Sequence, residues 1–149
     1  MKQPSDPEQY LDECVAIEPL AIEEEFIRVP SDLAYWNARY SDVYLHYHTC
    51  KLTREQVFHR LYEVHSDRLR ALSGKATVDQ IKAAAEQDPE YTKAKTYEIT
   101  ADAERVRLSG VLDSIRSKRD MLISLGAHTR FSEGRDPSIR QQSYLDRES

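Results

Sequence analysis

From Ser31 to Leu72 the chain contains neither Gly nor Pro. Leu33, Trp36, Tyr40, Val43, Tyr47, Cys50, Val57, Leu61 and Val64 recur there at steps of three and four, with Arg54 at the one missing step. That period puts the apolar side chains on one face of a helix and does not fit the two-residue alternation of a strand. A helix of this length spans roughly 60 Å and needs a partner along most of it. Its start is expected at Ser31 or Asp32 as N-cap. Ile27–Pro30 is expected to be extended, because a residue preceding proline avoids the helical region. Its stop is expected at Ser73-Gly74-Lys75, where Gly74 can adopt the left-handed backbone of a C-terminal cap.

Thr77-Val78-Asp79-Gln80 has the form of a capping box and predicts a short helix to about Gln87. Asp88-Pro89 is a second start signal, an N-cap followed by proline at the first helical position. From there a second long helix is predicted through Leu125 to Gly126. Its stripe is Ala94, Tyr97, Ala101, Leu108, Val111, Ile115, Leu122 and Leu125. Arg54 and Arg68 interrupt the first stripe, and Glu104 and Lys118 the second. Such charges either snorkel at the stripe's edge or pair across facing helices and fix their register.

The predicted fold is therefore all-α: a long antiparallel helical hairpin, two long helices joined by a short one. Tyr35, Tyr44, Phe58, Tyr62, Leu69 and Leu112 are expected on its half-covered flanks, and self-association through those flanks is the economical way to cover them. Ahead of the hairpin, Pro4, Pro7 and Pro19 limit the N-terminal stretch to short helices, at about Glu8–Ile17 and Leu20–Phe26. After it, Gly134 and Pro137 break a polar segment that has room for one short helix near Pro137–Leu145. The expected division is an acidic N-terminal arm (1–30), the hairpin domain (31–126) and a polar C-terminal tail (127–149).

Composition and charge refine this picture. Four Gly and six Pro in 149 residues, with 32% charged, suit helix over sheet. The net charge of −5 is unevenly spread. Residues 1–32 hold nine acids against Lys2 and Arg28, a balance of −7, which leaves +2 for the remaining 117. An acidic arm on a mildly basic body is either solubilising surface or a competitor for an anionic ligand. Two cysteines are too few for a disulfide framework and fit a reducing cytosol. No apolar run approaches the roughly 20 residues of a membrane span, and the N-terminus lacks a signal-peptide plan. A soluble cytoplasmic protein is expected.

Candidate catalytic chemistry is thin. His46 and Cys50 share a helical face, but His48 points about 200° away from them, so no metal site is expected and Cys50 reads as core. Ser73-Gly74-Lys75 lacks the upstream glycine and the following Ser/Thr of a phosphate-binding loop. No nucleophile context appears, so the expectation is a non-enzyme without cofactor. Basic residues are more telling. Arg54, Arg60, Arg68 and Arg70 lead into Lys75, with Lys93 and Lys95 at the facing end and Tyr62 and Tyr91 nearby. A positive track with aromatic faces is what single-stranded nucleic acid requires. Glu55, Glu63 and Asp67 are interleaved, as on an ordinary solvated face. A second basic group, Arg116-Ser117-Lys118-Arg119, lies toward the other end.

The order of features resembles the UvsY-type recombination mediators of phages. An acidic segment leads into I-R-V-P-S-D-L-A-Y-W-N-A-R-Y, which carries the Arg39-Tyr40 pair. The first long helix closes in R-L-R-A-L-S-G-K, and a second long helix follows. The resemblance covers roughly residues 10–125. It implies a protein that binds single-stranded DNA, forms ring-like homo-oligomers, and helps a RecA-like recombinase displace single-strand-binding protein in the infected host cell. Arg68 matches a basic position before the Ser-Gly turn. Ser66 and Leu72 depart from the family's basic and tyrosine positions, and Arg70 and Lys75 are the cations available to compensate. The expected DNA-contacting residues are Arg60, Arg68, Arg70 and Lys75, with Tyr62 as the stacking ring. The alternatives are a coiled-coil scaffold with no nucleic-acid role, or an adaptor whose acidic arm occupies another protein's basic cleft.

Overall fold

The computed structural model describes residues 7–18 and 20–133. Four helices follow in order: α1 (Pro7–Val15), α2 (Ile22–Ser73), α3 (Val78–Glu86) and α4 (Pro89–Glu133). There is no strand among the described residues, and the long helices pack against each other. None of these helices is long and apolar enough to cross a membrane. The expected short helix at Pro137–Leu145 lies outside the described residues.

Two helix boundaries differ from expectation. α2 starts at Ile22 and runs through Pro30, where an extended segment and a Ser31 or Asp32 cap were expected. A proline inside a helix removes one hydrogen bond and crowds the carbonyl four residues back, at a cost of about 3 kcal/mol. Packing on both sides of Pro30 offsets that cost: Val29, Asp32 and Trp36 are buried. Glu23, Glu24 and Glu25 fill the first turn, where the helix dipole favours acids. Residues 22–30, assigned to the arm by composition, are thus the first turns of α2. At the other end, α4 passes through Gly126 to Glu133. A methyl group at Gly126 would sit 3.7 Å from the Phe26 ring. The glycine therefore sits against a side chain of α2 and does not end the helix.

Contacts group the chain into two units, with dividing points inside α2 (Asn37/Ala38) and inside α4 (Ser109/Gly110). The first unit holds α1, the start of α2 and the end of α4. Tyr10 meets the Tyr35 ring edge-on at 5.0 Å and stacks near Trp36 at 6.1 Å, and its hydroxyl donates to Asp32 Oδ1 at 3.0 Å. Cys14 is buried beside them. Leu112, Ile115 and Leu122 are buried along α4. Leu112 was expected on an exposed flank; it is buried because it lies four residues after Leu108 and three before Ile115, on the same face of α4 as both. Lys118, 2% exposed, pairs with Glu25 at 2.5 Å.

The second unit holds the rest of α2, α3 and the first half of α4. Here Tyr47 meets Arg105, Arg54 meets Glu98, Arg60 meets Glu90 and His65 meets Asp88. Residue numbers rise on α2 as they fall on α4, so the two helices run antiparallel in this unit. Leu61, Ile81, Ala85, Ala94, Ala101 and Leu108 form its buried core. Val64 and Tyr97, both expected in the seam, are 52% and 59% exposed. The seam is narrower than either stripe, because Glu98 lies between the helices where Tyr97 was expected. Leu125, the last expected stripe residue of α4, is likewise exposed.

Candidate functional site

The end of α2 is shaped by local chemistry. The Gly74 amide donates to the Arg70 carbonyl at 2.9 Å, and Gly74 takes φ +70°. A side chain there would be strained, so glycine alone turns the chain cheaply. The Ser73 hydroxyl is within hydrogen-bonding distance of the Leu69 and Lys75 carbonyls. Three residues later Thr77 caps α3: its hydroxyl accepts from the Gln80 amide while the Gln80 side chain accepts from the Thr77 amide. Asp88 caps α4 by accepting from the Glu90 amide at 2.9 Å and also meets His65 at 3.1 Å. Those two contacts, the amide first, hold its carboxyl below the usual range.

Around this turn the expected contact residues have different fates. Arg68, Arg70 and Lys75 are exposed, and no ion pair engages them among the described residues. Arg60 is exposed but committed, paired with Glu90. Tyr62 is half-buried, its ring 6.2 Å from Phe58, which in turn meets Tyr91 at 5.8 Å. Helical geometry decides which of these can act together. Arg70 lies about 200° around α2 from Arg68, and Tyr62 the same angle from Arg60. The five residues therefore do not make one continuous track.

Arg68 does border a defined space. A cleft of about 430 Å³ is lined by His65, Arg68, Leu69 and Leu72 of α2, Ala84 of α3, and Gln87, Asp88 and Pro89 leading into α4. The lining mixes Leu69, Leu72, Ala84 and Pro89 with His65, Arg68, Gln87 and Asp88, and Arg68 is its one residue with an unpaired cation among the described residues. The sequence marks Asp88 as a cap, whereas its contact with His65 depends on how α2 meets α4 and has no local signal. Arg54 faces inward. Burial opposes its charge, but a hydrogen bond with Tyr91 and the Glu98 carboxylate hold its pKa above normal. It belongs to the seam and is not available to a ligand.

The His46–Cys50 neighbours meet at 3.8 Å, and no group of three or more His, Cys, Asp or Glu converges as metal ligands among the described residues. A second cleft, of about 350 Å³, lies in the first unit between Ile22, Glu23 and Phe26 of α2 and Ile123, Gly126, Thr129 and Arg130 of α4. Comparison with protein families, with curated proteins and with solved structures finds no match for this chain.

Proposed function

We propose that this chain is a non-enzymatic recombination mediator of the UvsY type. It binds single-stranded DNA, assembles as a homo-oligomer and assists a RecA-like recombinase in displacing single-strand-binding protein in the cytoplasm of an infected cell. The observation that carries the reading is the set of exposed cations Arg68, Arg70 and Lys75 around the Gly74 turn, engaged by no ion pair among the described residues, with Arg68 lining a cleft. Unpaired cations can neutralise phosphates without first breaking an internal ion pair. Arg60 contributes only after releasing Glu90, and Tyr62 offers the half of its ring that Phe58 and its other neighbours leave uncovered.

The test is the affinity of the full chain for a labelled single-stranded oligonucleotide across a salt series. Arg68→Glu with Lys75→Glu should abolish most binding at low salt, and Arg68→Ala with Lys75→Ala should reduce the salt slope by about 1.4 (two phosphates at about 0.7 each). If the charge-reversed protein binds like the unmodified one, this site is wrong. A second reading, a coiled-coil scaffold without a nucleic-acid role, draws on the interleaved acids and on exposed apolar residues such as Leu45 and Leu52. It predicts no binding to the oligonucleotide even at about 50 mM salt.

A further inference from the structure

On the first half of α4, Glu90, Lys93, Tyr97, Thr100, Glu104 and Arg107 follow one another at steps of three, four, three, four and three. That is the spacing of a single helical stripe able to meet another helix side by side. It lies beside the seam with α2, which is taken by Ala94, Glu98 and Ala101. Within the stripe Tyr97 is largely exposed, Lys93, Thr100 and Arg107 are exposed, and Glu104 is half-buried. No ion pair engages Lys93, Glu104 or Arg107 among the described residues. The Arg60–Glu90 contact shows which flank of α2 the stripe adjoins. One turn beyond Arg60 stands Val64, so a second exposed apolar side chain borders the same face.

The charge order has a property of its own. Read forwards it is acid, base, Tyr, Thr, acid, base; read backwards every charged position meets its opposite. A second copy laid antiparallel, with the two-fold axis between Tyr97 and Thr100, sets Lys93 against Glu104 and Tyr97 against Thr100, and brings Arg107 to the Glu90 that Arg60 already holds. Symmetry repeats each contact. A parallel copy in the same register would set like charge against like at every charged position. We propose that this α4 stripe is an isologous contact through which two copies of the chain associate antiparallel. An isologous contact closes at two copies, so the proposal specifies a two-fold pair and not the ring expected from the resemblance. It rests on charge order and exposure alone and does not depend on DNA binding.

Sedimentation velocity of the full chain, without nucleic acid and over a concentration series, tests it on four proteins: unmodified, Lys93→Glu, Glu104→Lys and the double variant. The unmodified chain should self-associate. Each single reversal places like charges together twice across the axis and should weaken association about tenfold. The double variant restores opposite charges and should return to near the unmodified value. Positions 93 and 104 are about 16 Å apart along the helix, so they cannot contact each other within one chain and rescue must act between copies. Circular dichroism confirms that the variants fold. A monomeric unmodified chain, single variants that associate normally, or a double variant as weak as the singles would each overturn the proposal. An unmodified chain that associates but does not bind a labelled single-stranded oligonucleotide at low salt counts against the DNA reading only.

Discussion

Lys118 carries an ammonium group at a position where a hydrophobic residue would ordinarily sit. Its partner Glu25 is almost as deeply buried, and the two meet at 2.5 Å. Removing one partner leaves an uncompensated buried charge, which typically costs 3–5 kcal/mol, whereas replacing both with apolar groups is often neutral. Lys118→Met is therefore expected to destabilise the protein by about 3 kcal/mol or more in urea denaturation, and Lys118→Met with Glu25→Leu to recover most of it. Tyr10 gives a pH signature in the same unit. Burial, then the hydrogen bond and charge of Asp32, push its phenol well above the ordinary value. The folded state holds this proton more tightly than the unfolded state does. The stabilisation is thus complete below about pH 10, the unfolded value, and is lost as pH rises beyond it. Stability measured from pH 8 to 11 should fall more steeply for the unmodified protein than for Tyr10→Phe, which should also lose about 1 kcal/mol at neutral pH.

Among the elements, α4 offers a direct test of a glycine inside a helix. Gly126 has helical backbone and only the Phe26 ring nearby, at an ordinary contact distance for an added methyl. Gly126→Ala should therefore stabilise the fold by about 0.5–1 kcal/mol in thermal or chemical denaturation. The same residue shows what a single sequence reveals. Signals that act within a few residues were legible: the Thr77–Gln80 box, the Asp88-Pro89 start and the Gly74 stop all stand where the sequence puts them. Gly126 was read as a stop and Pro30 as part of an extended lead-in, yet helix runs through both; around Pro30 it is the burial of Val29, Asp32 and Trp36, which a local pattern does not encode, that offsets the cost. The periodicity of α4 identified its buried residues well, but placed Tyr97 in the seam because a tyrosine looks more core-like than the neighbouring glutamate. Arg54 opposite, together with Lys95 on α4 itself, pairs with the Glu98 carboxylate and makes it the residue that fits. In the candidate site, the cations were legible as types. Arg60's engagement by Glu90 was not, since the two are 30 residues apart and nothing local links them.

For the whole molecule, the uneven charge matters more than its sum. The net value of −5 argues against nonspecific attraction to nucleic acid, yet Arg68, Arg70 and Lys75 stand exposed and unpaired within the second unit. The proposed DNA contact therefore predicts binding that is local and strongly salt-dependent, and the Arg68/Lys75 variants measure that directly. The α4 stripe predicts association governed by the order of charges along one face, so its charge-swap series should respond even though the double variant has the same net charge as the unmodified chain. The two series separate total charge from its arrangement.

The ladder of contacts in the second unit also bears on how the chain folds in time. His65–Asp88 and Arg60–Glu90 close chain separations of 23 and 30 residues, while Arg54–Glu98 and Tyr47–Arg105 lie progressively further out along the same pair of helices. Loop-closure entropy rises with separation, by about 0.8 kcal/mol from the innermost rung to the outermost if each closed alone. Once the innermost rung is made, each later one closes only a few further residues. The unit is therefore built to zip outward from the Gly74–Asp88 turn. On this entropy argument its capped short helix is expected to form first and the Tyr47–Arg105 contact last, an order that folding rates of Thr77→Ala and Arg105→Ala would check.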